Sequence, residues 1–491
     1  MQTGNENGGR RGKYGRLLKN TAILSIGTFA SKLLVFLLLP LYTNYLSTNE
    51  YSTADLITNM ANFLIPIFCC GVTEGVFRFS LREKDAQSHS RESVFSTCTV
   101  ITLIGSLVLL AALPILYFIG DLGAYGLLVV LYVISANLHS IAAEYVRACE
   151  QTTLYTVQGV LNTALVIALN LILLLGFDAG ITGYVLSVVI ADFLTTVFLV
   201  FYARLYRVFS FRSVRKKTAK ALIVFSLPLV PATILWWIIS VSDRYLLTAM
   251  LESGSDINGL YVAAAKIPTL LTLLCTVFLT AWKTSAVVED SGNGEEERAR
   301  KSAFYGSVYK GFVAVLFCVG AGIVLFSKAF AKILFSDAFY AAWQYIPILT
   351  IGTVFYSLSR FLGSIYFVKR KSVHSFLTAL SAAVLNVILN LLLIPHYGAF
   401  GAAAATFAAY LLEFIVRDID AQKQLRFPPQ RLRILVCGVL LLVEVVSMSV
   451  GHAYSLWITA GLTAVILLIN ARVILETLKG ILTTLARRAR G

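Results

Sequence analysis

Apolar runs of about 20 residues recur along this 491-residue sequence and fill most of it. In lipid each must be a helix, because isolated strands leave backbone N–H and C=O groups without partners while a helix pairs them internally. The runs lie near 18–44, 53–78, 94–118, 123–146, 153–176, 179–203, 221–249, 257–283, 303–327, 338–367, 374–396, 398–417, 432–450 and 454–475. They predict an all-α polytopic membrane protein with about fourteen transmembrane helices. Composition agrees: 14% of residues are charged and mean hydropathy is +0.78, against about 25% charged in a soluble domain.

The basic residues set the orientation. Arg204, Arg207, Arg212, Arg215, Lys216, Lys217 and Lys220 form the densest cluster, with no acid among them. Between two spans such a cluster stays on the cytoplasmic side, since moving it across costs too much. Counting spans outward from it, Arg10 to Lys19, Arg78 to Arg91, Lys369 to Lys371 and Lys479 to Arg490 fall on the same side, and only Lys328 and Lys332 on the other. Both termini are therefore expected in the cytoplasm of a plasma-membrane protein. The net charge of +15 then reflects cytoplasmic loops rather than a nucleic-acid partner. The seven cysteines sit in or beside apolar runs without metal spacing and read as small core residues.

The same count gives a domain layout. Residues 1–17 read as a disordered tail without a cleavable signal, and 18–203 as a lobe of six helices. A basic cytoplasmic linker, 204–220, precedes a second six-helix lobe, 221–417. A cytoplasmic loop at 418–431, two further helices at 432–475 and a basic tail at 476–491 complete the chain. The lobes echo each other. Leu169-Asn170-Leu171 and Leu389-Asn390-Leu391 each precede a short outer turn with Gly-x-x-Gly, at Gly180/Gly183 and Gly398/Gly401, with a gap of two residues between the copies. The segments 43–56 and 247–267 form a second echo. An even number of helices per lobe gives a parallel repeat, expected as two lobes around a central cleft.

Specific motifs sharpen this picture. The first span ends in Lys32, then Leu39-Pro40-Leu41-Tyr42-Thr43, Leu46-Ser47 and Glu50-Tyr51; the second lobe opens with Ser242-Asp243-Arg244-Tyr245, Gly259-Leu260-Tyr261 and Ala265-Lys266-Ile267. With the paired Gly-x-x-Gly turns, these resemble the multidrug/oligosaccharidyl-lipid/polysaccharide exporter superfamily over nearly the whole chain. Within it the chain looks most like the polysaccharide flippase (Wzx-type) branch of bacterial cell-envelope assembly. Ser52 departs from the pattern, where glycine commonly follows the Glu-Tyr pair. The two extra C-terminal helices are shared with polysaccharide and lipid II flippases, and the resemblance implies that they shape a groove for a lipid tail.

Ionisable residues inside spans are costly, about 2.5–3.5 kcal/mol each at a helix centre, and mark functional positions. Lys32, Arg244, Lys266, Lys310 and Arg360 are the candidate substrate-binding cations. A cationic cleft suits a pyrophosphate-linked glycan, with Arg gripping phosphate oxygens as a fork and Lys as a point charge. Arg360 also fits a helix-end anchor, and Lys310 a contact with headgroups. Asp192 and Asp243 are candidates for ion coupling or charge pairing: Asp192 as a relay or as the neutraliser of a lysine, Asp243 with Arg244 as an interlobe ion pair.

No Walker-type GxxxxGK[ST] motif, Ser/His/Asp arrangement or histidine ligand spacing is present, so neither an enzyme nor a cofactor or metal site is expected. The expected function is translocation of an undecaprenyl-pyrophosphate-linked oligosaccharide by alternating access, with membrane lipids and polysaccharide-assembly proteins as partners. The alternatives are a lipid II flippase or cation-coupled drug exporter of the same fold. A membrane glycan polymerase is disfavoured by the short outer loops.

Overall fold

A computed structural model describes residues 36–80, 90–118, 120–289, 295–369, 371–450 and 454–489. The described residues contain helices and turns and no β-strand. The longer helices are α1 (Leu39–Tyr45), α2 (Thr48–Phe68), α3 (Val72–Ser80), α4 (Arg91–Ala111), α5 (Gly126–Ala148), α6 (Thr152–Asn170), α7 (Gly180–Tyr202) and α8 (Lys216–Ser226). They continue with α9 (Val230–Met250), α10 (Gly254–Glu289), α11 (Glu295–Leu325), α12 (Ser327–Leu334), α13 (Ile346–Val368), α14 (Ser372–Gln424), α15 (Arg431–Val450) and α16 (Ser455–Ala489).

Ten of the described helices are long and apolar enough to cross a membrane, and the pair α2–α3, bent by 55°, gives an eleventh where the two count as one span. α14 holds two of the expected spans, separated at Gly398. The seventh expected span is α9 preceded by the 3-10 turn Leu227–Leu229, where Pro228 interrupts the ladder. The span at 18–44 lies largely outside the described residues, as do Lys32 and the N-terminal tail. Outward faces are apolar (Leu435 and Leu468 are 63% and 74% exposed), as lipid as a solvent requires.

The chain divides into two compact units, one ending at Val241 and the other beginning at Ser242. In the first, the Leu-Ser…Glu-Tyr motif makes a capping box: Glu50 N–H donates to Ser47 Oγ (3.2 Å) and Ser47 N–H to Glu50 Oε2 (2.9 Å). Tyr42 meets Tyr184 edge-on at 4.7 Å, and Tyr51 meets it at 6.4 Å. These motif residues thus shape the entry to α2. The basic run is ordered against the same unit. Ser210 N–H donates to Ser96 Oγ (3.0 Å), Thr218 bonds Ser93 (3.1 Å), and Leu205 and Leu222 are buried, while all seven cations are exposed. Residues 221–226, placed in the second lobe by sequence, pack here on α3 and α4.

The Gly-x-x-Gly turns do the same work in both units. Gly180 and Gly398 have φ of +49° and +55°, where a side chain is strained. A Cβ on Gly183 would lie 3.2 Å from Leu173 Cβ, and one on Gly401 only 2.4 Å from Leu393 O. Each glycine therefore lets a helix reverse tightly against its predecessor. The two extra residues of the first copy sit beside a π-helical turn, Leu171–Gly176, and a left-handed Asp178 (φ +49°).

Candidate functional site

Asp243 lies at the centre of a buried polar cluster in the second unit. Its Oδ2 accepts from Tyr261 Oη (2.6 Å) and Thr406 Oγ1 (3.4 Å), and its Oδ1 from the Arg244 backbone N–H (2.9 Å). Asn386 and Asn390, one turn apart in α14, extend the cluster. Asn386 Nδ2 donates to Thr406 Oγ1 (3.3 Å), while its Oδ1 accepts from Asn390 Nδ2 (3.1 Å) and Ser242 Oγ (3.2 Å). Asn390 Oδ1 is buried without a hydrogen-bond partner. One carboxylate among hydroxyl and amide oxygens is a donor set suited to a small monovalent cation or a proton. No group of three His, Cys, Asp or Glu side chains able to hold a metal occurs among the described residues.

Each described predicted cation has its own local setting. Arg244 follows Asp243 on α9, and its carbonyl takes a hydrogen bond from Thr248 Oγ1 (3.2 Å). Lys266 is half-buried on α10, and Thr269 Oγ1 donates to its carbonyl. Arg360, half-buried on α13, donates from Nη1 to Thr276 Oγ1 (3.1 Å), with its guanidinium 5.7 Å from the Tyr356 ring. Lys310 pairs instead with Glu476 of the last helix (3.6 Å), a partly exposed pair that Arg472 joins at 2.9 Å. Lys32 lies outside the described residues.

Among the described residues, Asp192 in the first unit meets a histidine rather than a lysine. His139 Nδ1 is 3.1 Å from Asp192 Oδ1, which also accepts from Asn162 Nδ2 (2.8 Å), and His139 Nε2 meets Gln158 Oε1 at 2.7 Å. His139 has no ligand spacing in the sequence, so a pattern for metal sites misses it. Its signal was a polar residue at mid-run in an apolar helix.

A second omission is the pair Glu413–Arg417, at the end of the apolar run 398–417. Both are buried and paired at 2.8 Å, because α14 continues to Gln424 and carries them into the packed layer. Arg417 is fully bonded, to Thr378 Oγ1 (3.0 Å), Ser359 Oγ (3.1 Å) and Ser375 O (3.4 Å). Nearby on α14, Asp418 pairs with Arg431 at 2.8 Å. That pair closes one end of an apolar groove of about 730 Å³ between α13, α14 and α15, lined by Phe355, Phe407, Leu411, Leu435 and Val439.

These features define a polytopic helical carrier with intramembrane polar clusters and a lipid-like groove. A model of the family described as polysaccharide biosynthesis protein matches residues 17–282, more than half of the sequence, and the chain belongs to that family, in the polysaccharide flippase branch of the exporter superfamily. A model described as lipid II flippase MurJ matches residues 289–473. Among solved structures, the inward closed conformation of lipid II flippase MurJ superposes with a TM-score of 0.67 at 16% identity, covering 92% of this chain and 99% of that one. An outward-facing multidrug resistance MATE family transporter of the MOP superfamily gives 0.57 at 15%, covering 86% and 96%. A mutant of the Vibrio cholerae MATE transporter VcmN gives 0.55 at 13%, covering 84% and 98%. No curated protein matches the sequence. Together the two family models support a flippase of a lipid-linked substrate.

Proposed function

We propose that the chain moves an undecaprenyl-pyrophosphate-linked oligosaccharide from the cytoplasmic to the outer leaflet of the bacterial plasma membrane, with both termini in the cytoplasm. The observation that carries this reading is the groove closed by Arg431 and Asp418. Its apolar lining fits a polyprenyl chain, and Arg431, 61% exposed by side chain, supplies a cation at its end for phosphate. Arg244, Lys266 and Arg360, with Lys32, are the remaining candidates for the pyrophosphate. Alternating exposure of these cations to the two leaflets moves the head while the tail stays in lipid. The Asp243 cluster holds the coupling cation or proton, and polysaccharide-assembly proteins take up the delivered glycan.

A lipid II flippase is the second reading, favoured by the match of residues 289–473 to that model. Mass spectrometry of lipid-linked glycans from depleted cells, with an assay of the leaflet holding them, separates the two. Build-up on the cytoplasmic side of one intact undecaprenyl-linked oligosaccharide other than lipid II is expected. Accumulation of lipid II alone would move the assignment to the second reading. Unpolymerised repeat units on the outer leaflet would place the protein after translocation and end the flippase proposal.

A further inference from the structure

The C-terminal helix pair contains an acid that no reading above uses. Glu444 is fully buried on the inner stripe of α15, with Ile434, Cys437, Leu441 and Met448 three or four residues apart along it. The facing buried stripe of α16 is Ser455, Thr459, Thr463, Ile466, Asn470 and Val473, most of it polar. Thr463 Oγ1 donates to Glu444 Oε1, while Oε2 is buried without a hydrogen-bond partner.

No cation offsets this carboxyl among the described residues. α15 packs on α11, α13 and α16. On those helices Lys310 and Arg472 pair with Glu476, Arg360 bonds Thr276, and Lys301 lies near the start of α11. Arg431 and Arg433 lie about three turns or more from Glu444, at the start of α15. Cys318 and Tyr356 supply no positive charge. An unpaired carboxylate there bears a desolvation cost that buried groups relieve by neutralising. A proton on Oε2 removes the charge and turns an orphan acceptor into a donor, leaving Oε1 to Thr463.

We infer that Glu444 is a proton-binding site built into the C-terminal helix pair. The site is distinct from the Asp243 and Asp192 clusters, with which it shares no residue.

The test uses the full chain in nanodiscs of phosphatidylethanolamine and phosphatidylglycerol, treated with dicyclohexylcarbodiimide, which forms a stable acylurea with protonated carboxyls in apolar surroundings. Peptide mass mapping is expected to find the adduct on Glu444, and none on Glu413, whose charge is held by Arg417. Above the titration midpoint the yield falls about tenfold per pH unit, and Glu444→Gln abolishes it. Absence of the adduct, in protein whose exposed carboxyls react in acid buffer, overturns the inference. Suppression of the adduct by sodium at constant pH also overturns it, since the site would then hold a metal cation.

Discussion

At the residue scale, buried polar side chains carry the consequences. Asp243 is the only acid among the residues of its cluster named above, so Asp243→Asn keeps the shape and removes the charge. Hydrogen bonds to charged groups contribute about 1.5–3 kcal/mol, so transport in a reconstituted assay should fall about ten- to a hundredfold with normal expression. Unchanged transport and unchanged ion dependence would remove Asp243 from the coupling role. Glu413→Ala strands the Arg417 guanidinium, and losing one partner of a buried pair costs about 3–5 kcal/mol. A lower thermal midpoint in detergent is expected. Replacing both residues by apolar ones of similar size should restore much of the loss, and no restoration would contradict this account. Asp243 was legible as an acid within an apolar run. Tyr261, Thr406, Asn386 and Asn390 were not legible as its partners, since they come from two other helices and nothing in the sequence pairs them with it.

At the element scale, the paired turns at Gly180 and Gly398 are the clearest link from sequence to shape. Both hold φ values that side chains avoid, so alanine at either should cost about 1–3 kcal/mol. The measurement is the folded, monodisperse fraction after extraction, and a fully tolerated Gly398→Ala would show that the reversal does not need glycine. The groove makes a functional prediction. Val439→Trp fills space between α13, α14 and α15, so it should slow transport of the lipid-linked cargo while leaving folding intact. Equal transport by this variant would detach the groove from the cargo path. The repeat was readable in its glycines and asparagines. Its two-residue offset lies beside a π-helical turn and a left-handed Asp178, and helical periodicity carries no signal for either.

At the scale of the whole molecule, the basic run predicts sidedness. A single cysteine at Lys217, with the native cysteines replaced, should react with an impermeant maleimide only after the inner face is opened. Labelling of intact cells would reverse the orientation. Depletion should leave the lipid-linked oligosaccharide on the cytoplasmic leaflet, as set out above.

The sequence by itself determined the helical class, the basic midpoint and the duplicated turns. Each depends on solvent preference or on one residue's backbone freedom, and both are local properties. Tertiary structure alone decided that Asp192 meets His139, that Glu413 and Arg417 are buried together and that Glu444 keeps one oxygen unpaired. Those outcomes depend on which helix faces which. Apolar runs specify that weakly, because lipid accepts almost any apolar face.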